Sequence, residues 1–351
     1  MLTVLLTDGE FTGMIRALRM GFPEGVRIVG LSENPLAAHR AMSDAFYTVP
    51  SQDHPDFKDQ YFSILRREKV DFVFPIVSEG LEFQAEFADE ILQQTGARVL
   101  SSPLSALHIA NDKRAFYSFL HGHPVLKEIC PVFYPADTVD ELFEGIRKIT
   151  DTGRMACIKR CRGENAAGFW KIDDSADMSA QILSRPLERL ISTSALAHIL
   201  QDTAATIPPY IVCEYLPGEE WDCDVLAYRG QPVCTLTRIN LQMNGGLTGV
   251  PEVRSHPKLV SYCDLLTEAL SLSFASCISF KADADGTFKA LEINPRMMGN
   301  VLLSAMCGNN YPRMSIDLAM GNPVSVVPFT EGLRTALYYD QIRIPDRDET
   351  Q

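Results

Sequence analysis

Ser276-Cys-Ile-Ser-Phe-Lys-Ala-Asp-Ala-Asp-Gly-Thr-Phe-Lys-Ala-Leu-Glu-Ile-Asn-Pro-Arg-Met-Met-Gly299 decides how this chain is read. Two runs with apolar alternation, Ala275–Ala282 and Thr287–Ile293, flank Asp283-Ala-Asp-Gly286. Asp-Gly between such runs signals a hairpin, so two antiparallel strands are expected. Side chains on a strand alternate faces, which places Ala290, Glu292 and Asn294 on one side and Leu291 and Ile293 on the other. A carboxylate and a carboxamide two residues apart at a strand end, followed by Pro295 and Arg296, make poor core. They suit a phosphate-bound magnesium, because oxygen ligands match that hard cation and arginine matches a phosphate or carboxylate. The plainer alternative is a solvated ion pair between Glu292 and Arg296.

The run Leu291-Glu-Ile-Asn-Pro-Arg296 with Gly299 resembles the magnesium strand of the ATP-grasp superfamily, in the branch related to carbamoyl-phosphate synthase and the carboxylate–amine ligases. That resemblance implies an α/β and α+β architecture: an N-terminal doubly wound parallel sheet, a small lid domain and a mixed-sheet catalytic domain. It also implies a ligase that activates a carboxylate as an acyl phosphate and passes it to an amine. ATP and magnesium, or manganese in its place, are the implied cofactors, with Glu292 and Asn294 as metal ligands and Arg296 on the reacting group. Many members carry an acid or amide where this chain has Ser279. Serine is a weak substitute, so Asp283 or a water is the candidate to complete the metal shell, and the number of metal ions stays open.

Working outward, 351 residues leave room for two or three domains, and 46% hydrophobic with 22% charged residues is ordinary for a globular enzyme. No apolar run approaches the roughly 18–20 residues that span a bilayer, and Asp8 and Glu10 break any signal-peptide layout, so the cytoplasm is the expected compartment. Nine cysteines without a C-x-x-C pattern argue against a disulfide framework or zinc ribbon. A net charge of −13 disfavours nucleic acid and anionic membrane as partners.

The N-terminal third alternates strands (Met1–Leu6, Val26–Leu31, Phe46–Pro50, Val70–Val77, Val99–Leu100) with helical stretches (Met14–Met20, Phe57–Glu68, Glu79–Gln94), the pattern of a doubly wound parallel sheet. It lacks G-x-G-x-x-G, which argues against a dinucleotide domain. Ser78 and Glu79 follow a strand's C-terminal end, where open sheets bind ligands, and a plain helix cap accounts for them equally well. Asn111-Asp-Lys113 opens a helix capped by Asp112; in the family a lysine in this setting approaches the nucleotide phosphates.

Met155–Lys159 reads as a strand ending in lysine, followed by a loop with small residues at Gly163, Ala167 and Gly168, through which backbone N–H groups can approach a polyphosphate. It resembles the family's second lysine strand and glycine-rich loop, although Arg162 and Glu164 depart from that pattern. No P-loop motif occurs. Ile211–Leu216 is an apolar strand, Pro217-Gly218 a turn, and Glu220 starts a strand through Asp222 and Asp224. An adenine edge wants backbone donors and acceptors from an extended segment, and a ribose diol wants a carboxylate. This block resembles the family's adenine hinge, with Glu214 near the base, Tyr215 and Leu216 giving backbone contacts and Glu220 on the ribose.

Gln231–Arg238 is a further strand, and Asn240–Pro251, with Gly245, Gly246 and Gly249, reads as a flexible loop. The family places this region over the reacting centre, which makes Arg238 a second catalytic candidate or else a surface ion-pair partner. Pro257–Leu272 and Tyr311–Met320 are helices and Ala336–Tyr339 a last strand. The expected domains are 1–108 (leading α/β), 109–208 (lid with linking helices) and 209–351 (catalytic). The expected partners are ATP, a small-molecule carboxylate and an amine, amino acids among the candidates, and a homodimer is compatible. Two other functions stay open: a carbamoyl-phosphate-type enzyme acting on bicarbonate and ammonia, and a non-catalytic ATP-binding regulator.

Overall fold

A computed structural model of the chain describes all residues except 8–11, 164–165, 178–188, 203–205, 245–246, 339 and 345–351, and the side chains of 78–79, 244 and 247. Its first sheet contains β1 (Leu2–Thr7), β2 (Val26–Ser32), β3 (Ala45–Thr48), β4 (Phe72–Pro75) and β5 (Arg98–Val99). All neighbours are parallel, in the order β3-β2-β1-β4-β5. The continuous apolar runs arise because both faces are covered. Val4, Leu6, Phe72 and Phe74 pack under the helix Thr12–Gly21, and Leu5, Val29, Leu31 and Val73 pack under Phe57–Glu68. The stretch expected as one helix over Glu79–Gln94 is two, Ser78–Glu86 and Ala88–Thr95, divided at Phe87.

The second sheet joins β6 (Phe133–Thr138), β7 (Ala156–Arg160), β8 (Trp170–Ile172), β9 (Leu190–Ile191) and β10 (Thr206–Glu214) in the order β6-β10-β7-β8-β9. Because β10 lies between β6 and β7, this unit runs on to Glu214, past the expected boundary at 208. The helix Val139–Thr150 covers it, started by a capping box between Thr138 and Glu141.

The third sheet contains β11 (Glu220–Tyr228), β12 (Gln231–Asn244), β13 (Leu247–Val253), β14 (Phe274–Ala282) and β15 (Phe288–Asn294), all antiparallel, in the order β13-β12-β11-β14-β15. Cys223, Val225, Ile278 and Phe280 bury one face against the helix Pro257–Leu270. On the other face Leu226 and Ala275 join the core that holds Met14, Leu18 and Tyr311, so the first domain docks against one end of this sheet. The rest of that face is left for polar side chains.

Two expectations are corrected here. Asn240–Pro251 is mostly strand: β12 continues to Asn244 and pairs with β13. Ile239, Leu241 and Met243 alternate with Asn240, Gln242 and Asn244, a strand period that the glycines masked; Gly245 and Gly246 lie outside the described residues. Ala336–Tyr339 forms no ladder over its described part. Arg334 makes one bridge to Glu252 and the Leu337 N–H donates to Gly249 O, so the chain merely lies along β13; Tyr339 lies outside the described residues.

Candidate functional site

Strand register turns the polar face of the third sheet into a grid. Glu292, Ser279, Asp222 and Arg238 stand side by side across β15, β14, β11 and β12, and one step along lie Asn294, Cys277 and Asp224. At the strand end Asn294 Nδ2 donates to Glu292 Oε1 at 3.1 Å, so the amide and the carboxylate face the same space.

Two lysines from other elements reach this strand end. Asp112 caps the helix Lys113–Gly122 by accepting from the N–H groups of Arg114 and Ala115. That fixes Lys113, whose Nζ lies 3.1 Å from Glu292 Oε2 and 3.2 Å from the Gly163 carbonyl. One helical turn on, the buried Tyr117 donates to Leu291 O at 2.9 Å and stands 3.5 Å from Lys159 Nζ. Tyr117 thus ties the helix, β7 and β15 together. The expectation from sequence missed it, although its i+4 spacing from Lys113 placed it on the same helical face.

The charges support one another. Burial pushes the Glu292 carboxyl up, but the Lys113 ammonium, the Asn294 hydrogen bond and Lys159 together hold it below the usual carboxylate range. Burial lowers Lys159, yet Tyr117, the Cys213 and Cys157 thiols and Glu292 hold it well above its ordinary value, so it stays a cation. One carboxylate with a neighbouring amide, beside two fixed ammonium groups, fits a divalent cation and the phosphates it would accompany.

At the far end of the cleft the Tyr215 N–H is occupied by Met155 O at 2.7 Å. Among the described residues, the backbone N–H and C=O of buried Leu216 have no hydrogen-bond partner. Buried backbone groups are rarely left so, and an adenine edge would satisfy both. Glu214 is turned elsewhere: its carboxylate accepts from Val132 N–H at 2.9 Å and pairs with Arg154 at 3.3 Å, fixing the strand. Glu220 lies 3.1 Å from Lys281 on the polar face, and the Lys171 ammonium sits 4.7 Å above the Tyr215 ring. Gly218 must be glycine, since a Cβ there would come within 2.7 Å of the Ala282 Cβ.

The loop after β7 is drawn toward the first domain by Arg162, 2.9 Å from Glu82 and 3.5 Å from Asp112. Gly163 and Ala167 are exposed on it, and Glu164 lies outside the described residues. Gly168 has φ +69°, and an added Cβ would collide with the Arg160 side chain. Gly168→Ala is therefore expected to weaken ADP binding about tenfold, a displacement of roughly 1.4 kcal/mol. Gly122→Ala, which meets open space, is the control with unchanged binding; calorimetric titration of both checks this.

Two further expected site residues are placed differently. Asp283 sits in the turn at the other end of the hairpin, where its Oδ1 accepts from the N–H groups of Asp285 and Thr287. Four residue steps along the strand separate Glu292 from Phe288 at the turn, roughly 13 Å, so Asp283 does not join the metal position. Arg238 has no exposed surface: it lies 2.7 Å from Asp222, 2.9 Å from Asp224 and 3.1 Å from the Asn240 side-chain oxygen. Burial opposes its charge, but the two aspartates raise its pKa well beyond the ordinary value. Arg296 is buried beside a small cleft lined by Asp224, Ala275, Met298, Val301 and Tyr311, next to the Glu292–Asn294 end. The side chains of Ser78 and Glu79 lie outside the described residues.

Residues 206–340 match the family described as ATP-grasp in the biosynthetic pathway with Ter operon, and residues 7–100 match the PylC-like N-terminal domain. No curated protein matches by sequence. Among solved structures, an ADP complex of N5-carboxyaminoimidazole ribonucleotide synthetase superposes with a TM-score of 0.69 at 15% identity, over 93% of this chain and 79% of that one. The same kind of synthetase from Thermus thermophilus gives 0.63 at 18% identity, over 92% and 79%. The biotin carboxylase domain dimer of Hydrogenobacter thermophilus 2-oxoglutarate carboxylase, with MgADP, ADP and bicarbonate, gives 0.66 at 15% identity, over 92% and 70%. Among the described residues no helix is long and apolar enough to cross a membrane. Residues 206–340 thus carry an ATP-grasp family match, and the three-sheet fold is shared with these synthetase and carboxylase structures.

Proposed function

We propose that this chain is an ATP-dependent carboxylate–amine ligase that works through an acyl phosphate. The observation that carries the reading is the convergence of Lys113 and Lys159, from separate elements, on the Glu292–Asn294 strand end. ATP would lie with its adenine on the Leu216 backbone, its ribose at Glu220 and its phosphates between the lysines. Glu292 and Asn294 would hold magnesium, which supplies charge neutralisation at the β- and γ-phosphates.

The substrate carboxylate, held by Arg296 in the adjoining cleft, has one oxygen attack the γ-phosphorus while the β–γ bridging bond breaks and ADP leaves. An amine nitrogen then attacks the acyl carbon, phosphate departs, and the nitrogen loses a proton to form the amide. Such transfer depends on positioning and charge stabilisation, which is why the site holds cations and oxygen ligands and no activated nucleophile. The Gly163–Gly168 loop, tied to Lys113 through the Gly163 carbonyl, would exclude water from the acyl phosphate.

A screen pairing carboxylic acids with amines, amino acids included, tests this by phosphate release. Release is expected only when both partners are present, and Lys113→Ala should lower kcat/KM for ATP by about 10²–10³-fold. Release with ATP and bicarbonate plus ammonia alone, or no turnover with any pair, would direct the assignment elsewhere.

A further inference from the structure

We infer that the metal position of this chain is built for a single divalent cation, with the Ser279 hydroxyl as a neutral ligand aligned by Asp222. The inference rests on the ATP–metal reading above and concerns how that position is completed. Ser279 stands in register between Asp222 of β11 and Glu292 of β15. Its Oγ lies 2.6 Å from Asp222 Oδ1, and an ionised carboxylate only accepts, so the serine proton points toward β11. The oxygen lone pairs are therefore turned away from β11, toward β15, where the Glu292 Cβ is about 5 Å across the strand pair.

Asp222 is itself held too firmly to swing round as a ligand. Its Oδ2 receives Arg238 at 2.7 Å, Asn240 at 2.9 Å and Thr248 at 3.2 Å, and its Oδ1 receives Ser279. Asp222 is thus a positioning residue, and the ligand oxygens facing the phosphates come from Glu292, Asn294 and Ser279. Only one of the three is charged.

A pair of divalent ions about 3.5–4 Å apart is normally held by several carboxylates. Among the described residues no group of three or more His, Cys, Asp or Glu side chains is placed to hold a metal. Lys113 and Lys159 already bring positive charge to the same place, where a second cation would meet repulsion. Glu292, Asn294 and Ser279 would hold one such ion, with its remaining ligands supplied by phosphate or water.

The test is a titration of the full-length chain with Mn²⁺ in saturating β,γ-methylene-ATP, following free Mn²⁺ by electron paramagnetic resonance against a protein-free control. One Mn²⁺ per chain is expected, with Ser279→Ala weakening it about 10–100-fold and Ser279→Thr, which keeps a hydroxyl, restoring most of the loss. Asp222→Asn should weaken Mn²⁺ similarly. It also disturbs the Arg238 pair, so Ser279→Ala, which leaves that pair intact, decides the matter. Two Mn²⁺ per chain, or an unchanged constant in Ser279→Ala, overturns the inference while leaving the ATP reading standing. Nucleotide bound without any Mn²⁺ overturns the metal position as a whole, and failure to bind the nucleotide overturns the parent reading.

Discussion

Glu292→Ala is expected to abolish ATP turnover, lowering ADP release by about three orders of magnitude, roughly 4 kcal/mol of barrier. Three roles end together. The proposed metal position would lose its one charged ligand, the Asn294 amide loses the acceptor that orients it, and Lys113 loses the carboxylate 3.1 Å away that now fixes its ammonium. Nothing in the core rests on this side chain, which retains 36% of its surface, so the thermal midpoint should move by no more than a few degrees. A coupled ADP assay beside a melting curve separates the outcomes. Turnover within tenfold of the parent chain would remove Glu292 from the chemistry, whereas lost turnover with a collapsed melting point would make it merely structural. Glu292→Gln should lie close to alanine in activity, since the amide keeps the shape but not the charge that the cation requires.

What the sequence revealed follows from how local each feature is. The hairpin of β14 and β15 was legible because Asp283–Gly286 and the alternating runs on both sides encode it within twenty residues, and the facing of Glu292 with Asn294 follows from a period of two. The Asp112 cap and the parallel first sheet were legible for the same reason. The grid across the third sheet was not. Arg238 meets Asp224 fourteen positions away and Ser279 meets Asp222 fifty-seven away, contacts fixed only by strand order and register. Without that order Arg238 looked like a loop-edge cation and Ser279 like a deficient ligand. Tyr117 escaped notice because its role lies in joining three distant elements, Lys159 on β7, Leu291 on β15 and its own helix.

Arg238→Met should be the most destabilising substitution in the third sheet, at about 3–5 kcal/mol, the range for removing one partner of a buried ionic network. The guanidinium has no solvent contact and neutralises two carboxylates at once; without it Asp222 and Asp224 remain in the sheet as uncompensated anions. Urea denaturation checks the magnitude through a lowered midpoint at unchanged slope. The cause can be isolated because the penalty belongs to the stranded charges. Adding Asp224→Asn to Arg238→Met should recover part of the loss, although each substitution alone destabilises. A residue that touched substrate would behave otherwise, losing kcat in a chain of normal stability. At a temperature where the Arg238→Met chain is still folded, ADP affinity should stay within severalfold of the parent, since Lys113, Lys159 and the Leu216 backbone lie on other segments of the chain. Metal affinity should fall more than nucleotide affinity, because Asp222 would lose the strongest of the donors that hold it against Ser279.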